Sequence, residues 1–455
     1  MTAARPHVVI VGAGFAGLEA ARPLARSPIE VTVVDRHNYH LFQPLLYQVA
    51  TAALSPADIA EPIRAVLRHQ RNATVLLDEV TGVDLSAHRV ETRFGGPLIY
   101  DHLVLATGSQ YNYFGHKDWP ELAPGLKSLD DATWIRRRLL LAFEEAESTA
   151  DPAIRRRLLT FVLVLAGPTG VEMAGALAEL AHATLSRDFR HINPQTARIL
   201  LVEASPRVLS GFPEKLADFA RHSLERMGVE VLLDTPIEAI DQNGVIAKGE
   251  RIEAANVIWC AGVEASPIAR WLGVPETKGG RIPVAPDLSV AGHPEVFVVG
   301  DAAFATGPGG DALPGLAPVA KQQGRYVGEL LARRVLDEAA PAPFLYRDEG
   351  ALATIGRHSA IADLGWIRLT GPFAWVLWGI VHIFFLIGFR NRLAVFLNWI
   401  WAWATYGRDA RLITGDVAPL LAANSARGAR TTRKQEGEGA ATTTELEREP
   451  QAAPS

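Results

Sequence analysis

Short apolar runs followed by glycine turns mark the first part of the chain. The run VVIV, from Val8 to Val11, precedes GAGFAGL, and the next apolar run, EVTVVD, ends at Asp35. A strand, a glycine turn, a helix and a second strand in this order predict a β–α–β unit that binds a dinucleotide. A further apolar run, HLVLATG from His102 to Gly108, ends at another glycine turn. We therefore expect residues 1–125 to form most of one dinucleotide-binding domain.

The same pattern restarts in the middle of the chain. FVLV, from Phe161 to Val164, precedes LAGPTGVE, and the later run ILLVE ends at Glu203. This repetition predicts a second doubly wound domain over residues 126–283, inserted into the first. VFVVGDAA, from Val296 to Ala303, again places a polar residue at the carboxyl end of an apolar strand, so residues 284–345 are expected to complete the first domain. The predicted fold class is α/β with two Rossmann-like dinucleotide-binding domains.

A third pattern is an apolar, tryptophan-rich segment near the C-terminus. From Pro372 to Phe389, 18 residues carry no charge apart from a protonatable His382. Arginines flank this segment, and tryptophans concentrate between Trp366 and Tyr406, which is typical of a membrane–water interface. We predict that residues 346–412 form a helical membrane-anchoring region in which two helices lie in one leaflet.

Two other interpretations of this region stay open. One is a single transmembrane helix around residues 372–389, which is marginal in length. The other is an apolar subunit interface, which would make the protein a homodimer. Residues 413–455 contain almost no large apolar side chain after Asn424, and we expect them to be a disordered tail.

Composition narrows the chemistry. The net charge is −5, and no basic stripe is interleaved with aromatic residues, which argues against nucleic acid as a partner. The single cysteine, Cys260, excludes a disulfide framework and a relay of electrons through a redox disulfide. It ends the apolar run NVIWC, so we expect a small buried hydrophobe. The sequence contains no cysteine–histidine cluster of the kind that binds a metal, so we predict no metal site. No signal peptide is evident, and the nucleotide domains are therefore expected in the cytoplasm.

Taken together, these motifs resemble those of the type II NADH dehydrogenases. The most specific stretch is NYHLFQPLLYQVAT, from Asn38 to Thr51, and the resemblance extends from His7 to Leu412. GPTGVEMAGALAEL, VVGDAA, APVAKQQG and HIFFLIGFRNR fit the same family pattern. The resemblance implies a single-subunit flavoprotein, peripheral on the cytoplasmic face of a bacterial-type inner membrane. It would pass electrons from NADH to a membrane quinone without pumping protons.

The resemblance also implies that one non-covalent FAD occupies the first fingerprint. Asp35 would bind the adenosine ribose, and Asp301 the ribityl or pyrophosphate portion. The stretch QPLLYQ and the turn from Ala106 to Gly108 would approach the flavin ring. The expected FAD-binding residues are Gly12, Gly14, Gly17, Asp35, Arg36, Thr107, Gly108 and Asp301.

NADH would occupy the second fingerprint, with Gly167, Gly170, Glu203 and Gly262 as its contacts. Glu203 stands where a carboxylate bonds the ribose 2′-hydroxyl and repels the 2′-phosphate of NADPH. The resemblance implies that Glu172 faces the nicotinamide and the quinone pocket and is catalytic. Its position in the sequence alone fits equally well an acid of the first helical turn, which the helix dipole favours.

Lys321 and Gln322 complete the expected catalytic residues, because the resemblance places them at the start of a helix whose N-terminus points at the flavin ring. Two departures from the family pattern stand out. Leu165 replaces the first glycine of the second fingerprint, where a side chain would crowd the turn or the pyrophosphate. Pro318 replaces a glutamine near the quinone and offers no side-chain hydrogen bond.

Two other functions are consistent with two dinucleotide sites. One is an FAD-dependent reductase of a soluble, ferredoxin-like electron carrier, which the tryptophan-rich C-terminal region disfavours. The other is a non-catalytic FAD-binding sensor, which would follow if Leu165 abolished NADH binding.

Overall fold

The computed structural model describes residues 5–277, 279–405, 407–408 and 410–415. The N-terminal part contains ten strands and five helices among these residues. The strands are β1 His7–Val11, β2 Glu30–Asp35, β3 Tyr39–Leu41, β4 Ala60–Pro62, β5 Ala73–Leu77, β6 Val80–Asp84, β7 Arg89–Thr92, β8 Leu98–Ile99, β9 His102–Leu105 and β10 Ser109–Tyr111. The helices are α1 Phe15–Ala21, α2 Leu46–Ala50, α3 Pro56–Ile59, α4 Ile63–Val66 and α5 Trp119–Leu122.

The middle of the chain begins with one long helix and one short helix and then repeats the strand–helix order. Its helices are α6 Leu129–Ser148, α7 Pro152–Leu158, α8 Pro168–Glu179, α9 Glu214–Arg226 and α10 Ile268–Leu272, and a π-helical turn, Leu180–Thr184, extends α8. Its strands are β11 Thr160–Val164, β12 Arg198–Val202, β13 Val229–Leu232, β14 Ile237–Asp241, β15 Gly244–Ala247, β16 Glu250–Glu253, β17 Asn256–Trp259, β18 Val263–Ala265 and β19 Ile282–Pro283.

The last part returns to the first sheet and then adds a small sheet and two helices. Its elements are β20 Ser289–Val290, β21 His293–Val298, β22 Ala303–Phe304, α11 Ala317–Val335, β23 Ala351–Gly356, β24 Ser359–Asp363, β25 Arg368–Thr370, α12 Gly371–Phe385 and α13 Phe389–Thr405.

Two parallel sheets organise the molecule. The first has the order β20–β21–β9–β1–β2–β5 and is parallel except for β20, so residues 284–345 supply strands to a sheet that residues 1–125 begin. The second has the order β13–β12–β11–β17 and is entirely parallel. The centre of each sheet is apolar and buried on both faces, as parallel strands between helices require. These sheets confirm the α/β fold class, whereas the domain boundaries stay a prediction.

Helix α11 packs directly on α1 in the first half of the molecule. A β-carbon at Gly324 would lie 2.0 Å from the Ala16 carbonyl oxygen, so only glycine permits this approach. The same device joins the C-terminal sheet to α8, because a β-carbon at Gly175 would lie 1.6 Å from the Ile355 carbonyl oxygen. The antiparallel sheet β23–β24–β25 is thereby fixed against the second parallel sheet.

The apolar C-terminal run forms a helical hairpin and not one continuous helix. Helix α12 ends at Phe385, and α13 begins at Phe389 after a turn in which Gly388 has a φ of +88°. Among the described residues, no helix combines the length and apolar character needed to cross a bilayer. The hairpin still exposes large apolar side chains: Phe373, Val376, Ile380, Phe384, Phe389, Leu393, Phe396, Leu397, Ile400, Trp401 and Trp403. Apart from residues 413–415, the expected tail lies outside the described residues.

Candidate functional site

The first fingerprint forms a cradle that only glycine allows. Gly12 has a φ of +98°, and a β-carbon there would lie 2.4 Å from the Ala106 carbonyl oxygen. A β-carbon at Gly17 would lie 1.8 Å from the Gly12 carbonyl oxygen, whereas Gly14 faces open space. Helix α1 begins at Phe15 without a side-chain cap or an acidic residue in its first turn. Its first backbone N–H groups are therefore available to a pyrophosphate, as FAD would require.

Asp35 shapes this cradle from the end of β2. Its Oδ2 accepts a hydrogen bond from the Ala13 backbone N–H at 2.6 Å, and its Oδ1 accepts one from the His37 N–H at 2.8 Å. The carboxylate is half-buried, so it keeps a surface toward a ribose. The neighbouring Arg36 is exposed.

The second fingerprint repeats this geometry. Glu203 accepts hydrogen bonds from the Ala166 N–H at 2.7 Å and from the Ser205 N–H at 2.8 Å, as Asp35 does in the first copy. A β-carbon at Gly170 would lie 2.0 Å from the Leu165 carbonyl oxygen, and little crowds Gly167. In both fingerprints, therefore, a carboxylate accepts a hydrogen bond from a backbone N–H of the glycine turn.

Leu165 adopts the backbone conformation of the glycine that it replaces. Its φ is +80°, close to that of Gly12, although an L side chain pays about 1 kcal/mol or more in this region. Its Cδ2 atom lies 3.9 Å from where a β-carbon of Gly167 would be, so the leucine side chain leans over the turn. The turn is thus formed, and the side chain occupies part of the approach to it.

The remaining expected cofactor contacts lie where residues 1–125 and 284–345 meet residues 126–283. Ser109 Oγ donates to Asp301 Oδ2 at 2.6 Å, and Lys127 Nζ donates to the same Ser109 oxygen at 2.6 Å. Thr107 Oγ1 lies 2.5 Å from Ser266 Oγ, which also links the halves. Burial lowers the pKa of Lys127, while the carboxylate of Asp301 opposes this shift.

Lys127 is a residue that sequence reasoning missed, since an isolated lysine before a helix carries no signal of its own. Two glycines flank this junction with φ values that favour glycine, +68° at Gly108 and +31° at Gly262. A β-carbon at Gly262 would lie 2.9 Å from the Phe114 ring. The chain therefore turns tightly on both sides of the junction.

Two cavities share one wall, and Lys127 of this junction lines the second of them. The tryptophan cavity lies between α8, β23 and the C-terminal hairpin; its lining is Tyr47, Gln48, Ala53, Glu172, Ala176, Glu179, Thr184, Thr354, Gly356, Arg357, Trp375, Trp378, Trp399, Ala402, Trp403 and Arg408. The fingerprint cavity is lined by Gln43, Pro44, Leu46, Tyr47, Tyr111, Leu126, Lys127, Thr169, Glu172, Trp259, Cys260, Ala261 and Val263. Tyr47 and Glu172 are common to both linings.

Glu172 sits in this shared wall, in the second turn of α8. Burial raises the pKa of its carboxyl to about 8, so the group is mostly neutral at pH 7. A neutral carboxylic acid between two cavities can donate a proton to a ligand in either one. Cys260 lines the fingerprint cavity, and burial raises the pKa of its thiol to about 12, so it remains an unreactive thiol.

Lys321 and Gln322 take part in contacts away from these cavities. Lys321 Nζ lies 3.7 Å from the centre of the Phe385 ring, where α12 ends. Gln322 Nε2 donates to the Arg347 carbonyl oxygen at 2.9 Å, and its Oε1 accepts from the Arg347 N–H at 3.0 Å. Neither residue belongs to either lining, so their expected catalytic roles find no support in this geometry. The next residue, Gln323, is buried and accepts a hydrogen bond from the Gly300 N–H at 2.7 Å.

Comparisons with known proteins agree with this arrangement. Residues 6–324 match the pyridine nucleotide-disulphide oxidoreductase family, and residues 349–409 match the NDH2 C-terminal domain. A type II NADH:quinone oxidoreductase of Mycobacterium tuberculosis, NdhA, is 45% identical over 87% of this chain and 86% of its own length. The chain belongs to the type II NADH:quinone oxidoreductase family. A second family member from that organism, Ndh, is 43% identical over 91% of each chain.

The fold is that of solved family members as well. The structure of NDH2 from Plasmodium falciparum in complex with NADH has a TM-score of 0.81 at 20% identity and covers 90% of this chain and 100% of that one. The structure of a covalent putidaredoxin reductase–putidaredoxin complex shares the fold with a TM-score of 0.61 at 21% identity and covers 79% of this chain and 82% of that one. The match of residues 349–409 to the NDH2 C-terminal domain therefore favours the quinone reductase over the reductase of a soluble carrier.

Proposed function

We propose that this chain is a membrane-associated, FAD-dependent NADH:quinone oxidoreductase whose quinone site is the tryptophan cavity. The enzyme oxidises NADH and reduces a quinone. The FAD supplies the chemistry that accepts a hydride from NADH and passes two electrons on. The observation that carries the site assignment is that Glu172 and Tyr47 line both cavities, so the nucleotide and the quinone approach the reaction centre from opposite sides of one wall.

The chain's own residues bind and orient the two nucleotides. The first fingerprint offers uncapped backbone N–H groups to FAD, and Asp35 fixes the turn that presents them. The second fingerprint does the same for NADH, and the negative charge of Glu203 favours NADH over NADPH by repelling a 2′-phosphate. Glu172 holds a proton at its carboxyl group beside the quinone cavity. Reduction of a quinone to a quinol consumes such a proton.

The tryptophan cavity suits a flat apolar ring. Trp375, Trp378 and Trp399 face it from the hairpin, and the charged groups of its lining are largely paired with each other or with backbone atoms. Arg408 forms an ion pair with Glu179 at 3.1 Å and donates to the Thr51 carbonyl oxygen at 2.8 Å. A quinone ring would thus meet aromatic surface and few unsatisfied charges.

The exposed apolar surface of the hairpin supports membrane association without a transmembrane span. Phe373 and Phe389 are each 81% exposed, and such large apolar surfaces mark interaction sites. Arg390 and Arg392 lie beside this surface and would attract anionic lipid headgroups. The proposal is a monotopic enzyme on the cytoplasmic face of the inner membrane, which receives quinone from the bilayer through the hairpin. A homodimer through the same surface is the competing interpretation.

A cavity-filling substitution tests the quinone site. Ala402→Phe places a ring into the tryptophan cavity from α13, where the exposed side of the helix allows adjustment. We expect the KM for a short-chain quinone to rise by roughly tenfold or more, while NADH oxidation with ferricyanide keeps its rate. Flavin absorbance verifies that FAD is retained. An unchanged KM for the quinone would show that the quinone binds elsewhere.

A further inference from the structure

Three side chains form a hydrogen-bond chain in the wall of the tryptophan cavity. Trp399 Nε1 donates to Gln48 Oε1 at 2.8 Å, and Gln48 Nε2 donates to the Tyr47 hydroxyl oxygen at 2.8 Å. Tyr47 and Gln48 belong to α2 and are buried, whereas Trp399 comes from α13 in the hairpin. All three line the cavity. The chain therefore connects the C-terminal hairpin to the shared wall of the two cavities.

The direction of each bond in this chain is fixed by its first member. An indole N–H can only donate, so the group of Gln48 that faces Trp399 must be the carbonyl oxygen. The amide nitrogen of Gln48 then faces Tyr47, and the tyrosine oxygen must accept. The hydrogen of the Tyr47 hydroxyl is consequently directed away from Gln48. Among the hydrogen bonds of the described residues, none has Tyr47 as its side-chain donor.

The hydroxyl of Tyr47 retains this hydrogen under physiological conditions. Burial and, to a smaller extent, the nearby carboxylate of Glu172 raise the pKa of Tyr47 well above its ordinary value. A buried donor without an acceptor costs about 1–3 kcal/mol, and a ligand that supplies an acceptor recovers this energy. A quinone carries two carbonyl oxygens, which accept hydrogen bonds and cannot donate them.

The two arginine side chains of the lining are already engaged, whereas the buried indole N–H of Trp378, which lines the tryptophan cavity only, has no acceptor among the described residues. Arg408 bonds Glu179 and Thr51, as described above, and Arg357 Nη2 donates to the Ala402 carbonyl oxygen at 3.0 Å. Tyr47 is also one of the two residues that line both cavities, so a group bonded to it would lie next to the reaction centre.

We propose that the Tyr47 hydroxyl donates a hydrogen bond to a carbonyl oxygen of the bound quinone, and that Gln48 and Trp399 are positioning residues that set the direction of this donor. The inference rests on the proposed quinone site. It assigns a recognition role to the Tyr-Gln pair of the PLLYQ stretch, and it makes the C-terminal hairpin contribute to quinone orientation as well as to membrane contact.

The test compares a quinone with the same ring system without its oxygens. Binding of 2-methyl-1,4-naphthoquinone and of 2-methylnaphthalene to the oxidised, FAD-loaded enzyme is measured by titration calorimetry without NADH. Tyr47→Phe should weaken quinone binding by roughly threefold to tenfold, the usual loss for one neutral hydrogen bond. Binding of the hydrocarbon should not change. An equal loss for both ligands, or no loss for either, would overturn the hydrogen bond.

The positioning role has its own measurement. Trp399→Phe keeps an aromatic ring but removes the donor, so Gln48 can rotate and Tyr47 loses its fixed direction. We expect a smaller loss of quinone binding than for Tyr47→Phe, and no further loss when both substitutions are combined. Gln48→Glu should lose as much as Tyr47→Phe, because a carboxylate turns the tyrosine hydrogen toward itself. Additive losses from Tyr47→Phe and Trp399→Phe would show that the tryptophan acts only through packing.

The Ala402→Phe variant separates failure of this inference from failure of the quinone site. If Ala402→Phe weakens binding of both ligands while Tyr47→Phe changes neither, the cavity binds the ring and the hydrogen bond is wrong. If Ala402→Phe leaves the binding of both ligands unchanged, the cavity is not the quinone site and the hydrogen bond is wrong with it.

Discussion

A leucine and a glycine share one unusual backbone conformation in the two fingerprints of this chain. Gly12 cannot be replaced, because a β-carbon would meet the Ala106 carbonyl oxygen at 2.4 Å. The second copy keeps the same turn with Leu165 at a φ of +80°. The strain is local, and the side chain leans toward Gly167, where a pyrophosphate would approach. We therefore expect Leu165 to weaken the binding of NADH more than it lowers the stability of the fold.

Substitution of Leu165 should reveal this cost. We expect Leu165→Gly to lower the KM for NADH by up to about fivefold, the equivalent of roughly 1 kcal/mol. The free energy of unfolding should change little, since the added flexibility of glycine offsets the relief of strain. Steady-state kinetics with a saturating quinone measure the KM. The matched change Gly12→Ala should instead abolish FAD binding, and an unchanged KM in Leu165→Gly would mean that the leucine side chain does not obstruct NADH.

The buried carboxyl of Glu172 predicts a pH dependence of stability. Its pKa rises from 4.5 to about 8 on folding, so the folded protein holds a proton that the unfolded chain releases. The stabilising contribution is complete below pH 4.5 and is lost as the pH rises toward 8. We expect Glu172→Gln to lose less stability than the parent between these two pH values. Urea denaturation over this range measures the difference, and parallel curves for the two proteins would contradict the raised pKa.

At the residue scale, the sequence predicted backbone turns where the chemistry of the residue dictates a backbone shape, while the cofactor contacts of these residues stay a prediction. The glycine turns, and the carboxylates at the end of β2 and directly after β12, were evident in the sequence because each follows an apolar strand in the same strand–turn–helix–strand order. The orientation of Gln322 was not evident, since its amide bonds the backbone of Arg347 in a segment without periodicity. Gln48 was equally hidden, because its partner Trp399 lies 351 residues away.

At the scale of elements, the C-terminal hairpin is the part that the sequence described incompletely. The apolar run from Pro372 to Phe389 is continuous in composition, but the chain turns at Gly388. A β-carbon there would lie 3.2 Å from Glu61 Oε2, and Asn391 Nδ2 donates to the same carboxylate oxygen at 3.0 Å. Contacts with the N-terminal part therefore stabilise the break between α12 and α13, and hydropathy alone could not locate them.

The exposed surface of the hairpin gives a prediction about membrane binding. Replacing Phe373, Phe384 and Phe389 together with serine removes apolar surface that is worth about 1.5–3 kcal/mol for each buried phenylalanine. We expect binding to anionic lipid vesicles, measured by sedimentation, to fall by at least about tenfold. The change Phe94→Ser, at a phenylalanine that is also 81% exposed but lies in the turn between β7 and β8, is the control and should bind normally. Normal binding of the triple variant would favour a subunit interface.

Truncation would be a poorer test of the anchor than these substitutions. Removing everything after Arg357 would delete β24, whose Ala360, Ile361 and Ala362 are fully buried against α9 and α12. Such a deletion would expose the core that β24 forms with α9 and α12, so a loss of membrane binding could not be separated from a loss of folding.

At the scale of the whole molecule, the C-terminal sheet packs closely against α8, which lies on the second parallel sheet. Gly175 lies on α8, the helix that also carries Glu172, and it contacts β23 through the Ile355 carbonyl oxygen. The sequence predicted both parallel sheets from their strand–turn–helix order. The sequence did not predict that β23 packs against α8, because a single glycine inside a helical run does not indicate which element it contacts.

We therefore expect Gly175→Ala to destabilise the protein by about 1–3 kcal/mol through overpacking. Because β23 supplies Thr354 to the tryptophan cavity, the same change should also raise the KM for the quinone. Urea denaturation and quinone kinetics measure the two effects. The control Gly211→Ala, where a β-carbon meets no atom within 4 Å, should leave both unchanged. A stable Gly175→Ala variant with normal quinone kinetics would show that the two sheets can separate without cost.

The shared wall of Tyr47 and Glu172 has a consequence for the order of events during turnover. In the proposed arrangement the nucleotide occupies the fingerprint cavity and the quinone the tryptophan cavity, so the two would not compete for one space although Tyr47 and Glu172 line both. The spent nucleotide can remain in place while the second substrate enters, so both reaction partners can occupy one protein molecule at the same time. The rate of departure of NAD⁺ then need not limit how quickly electrons reach the quinone.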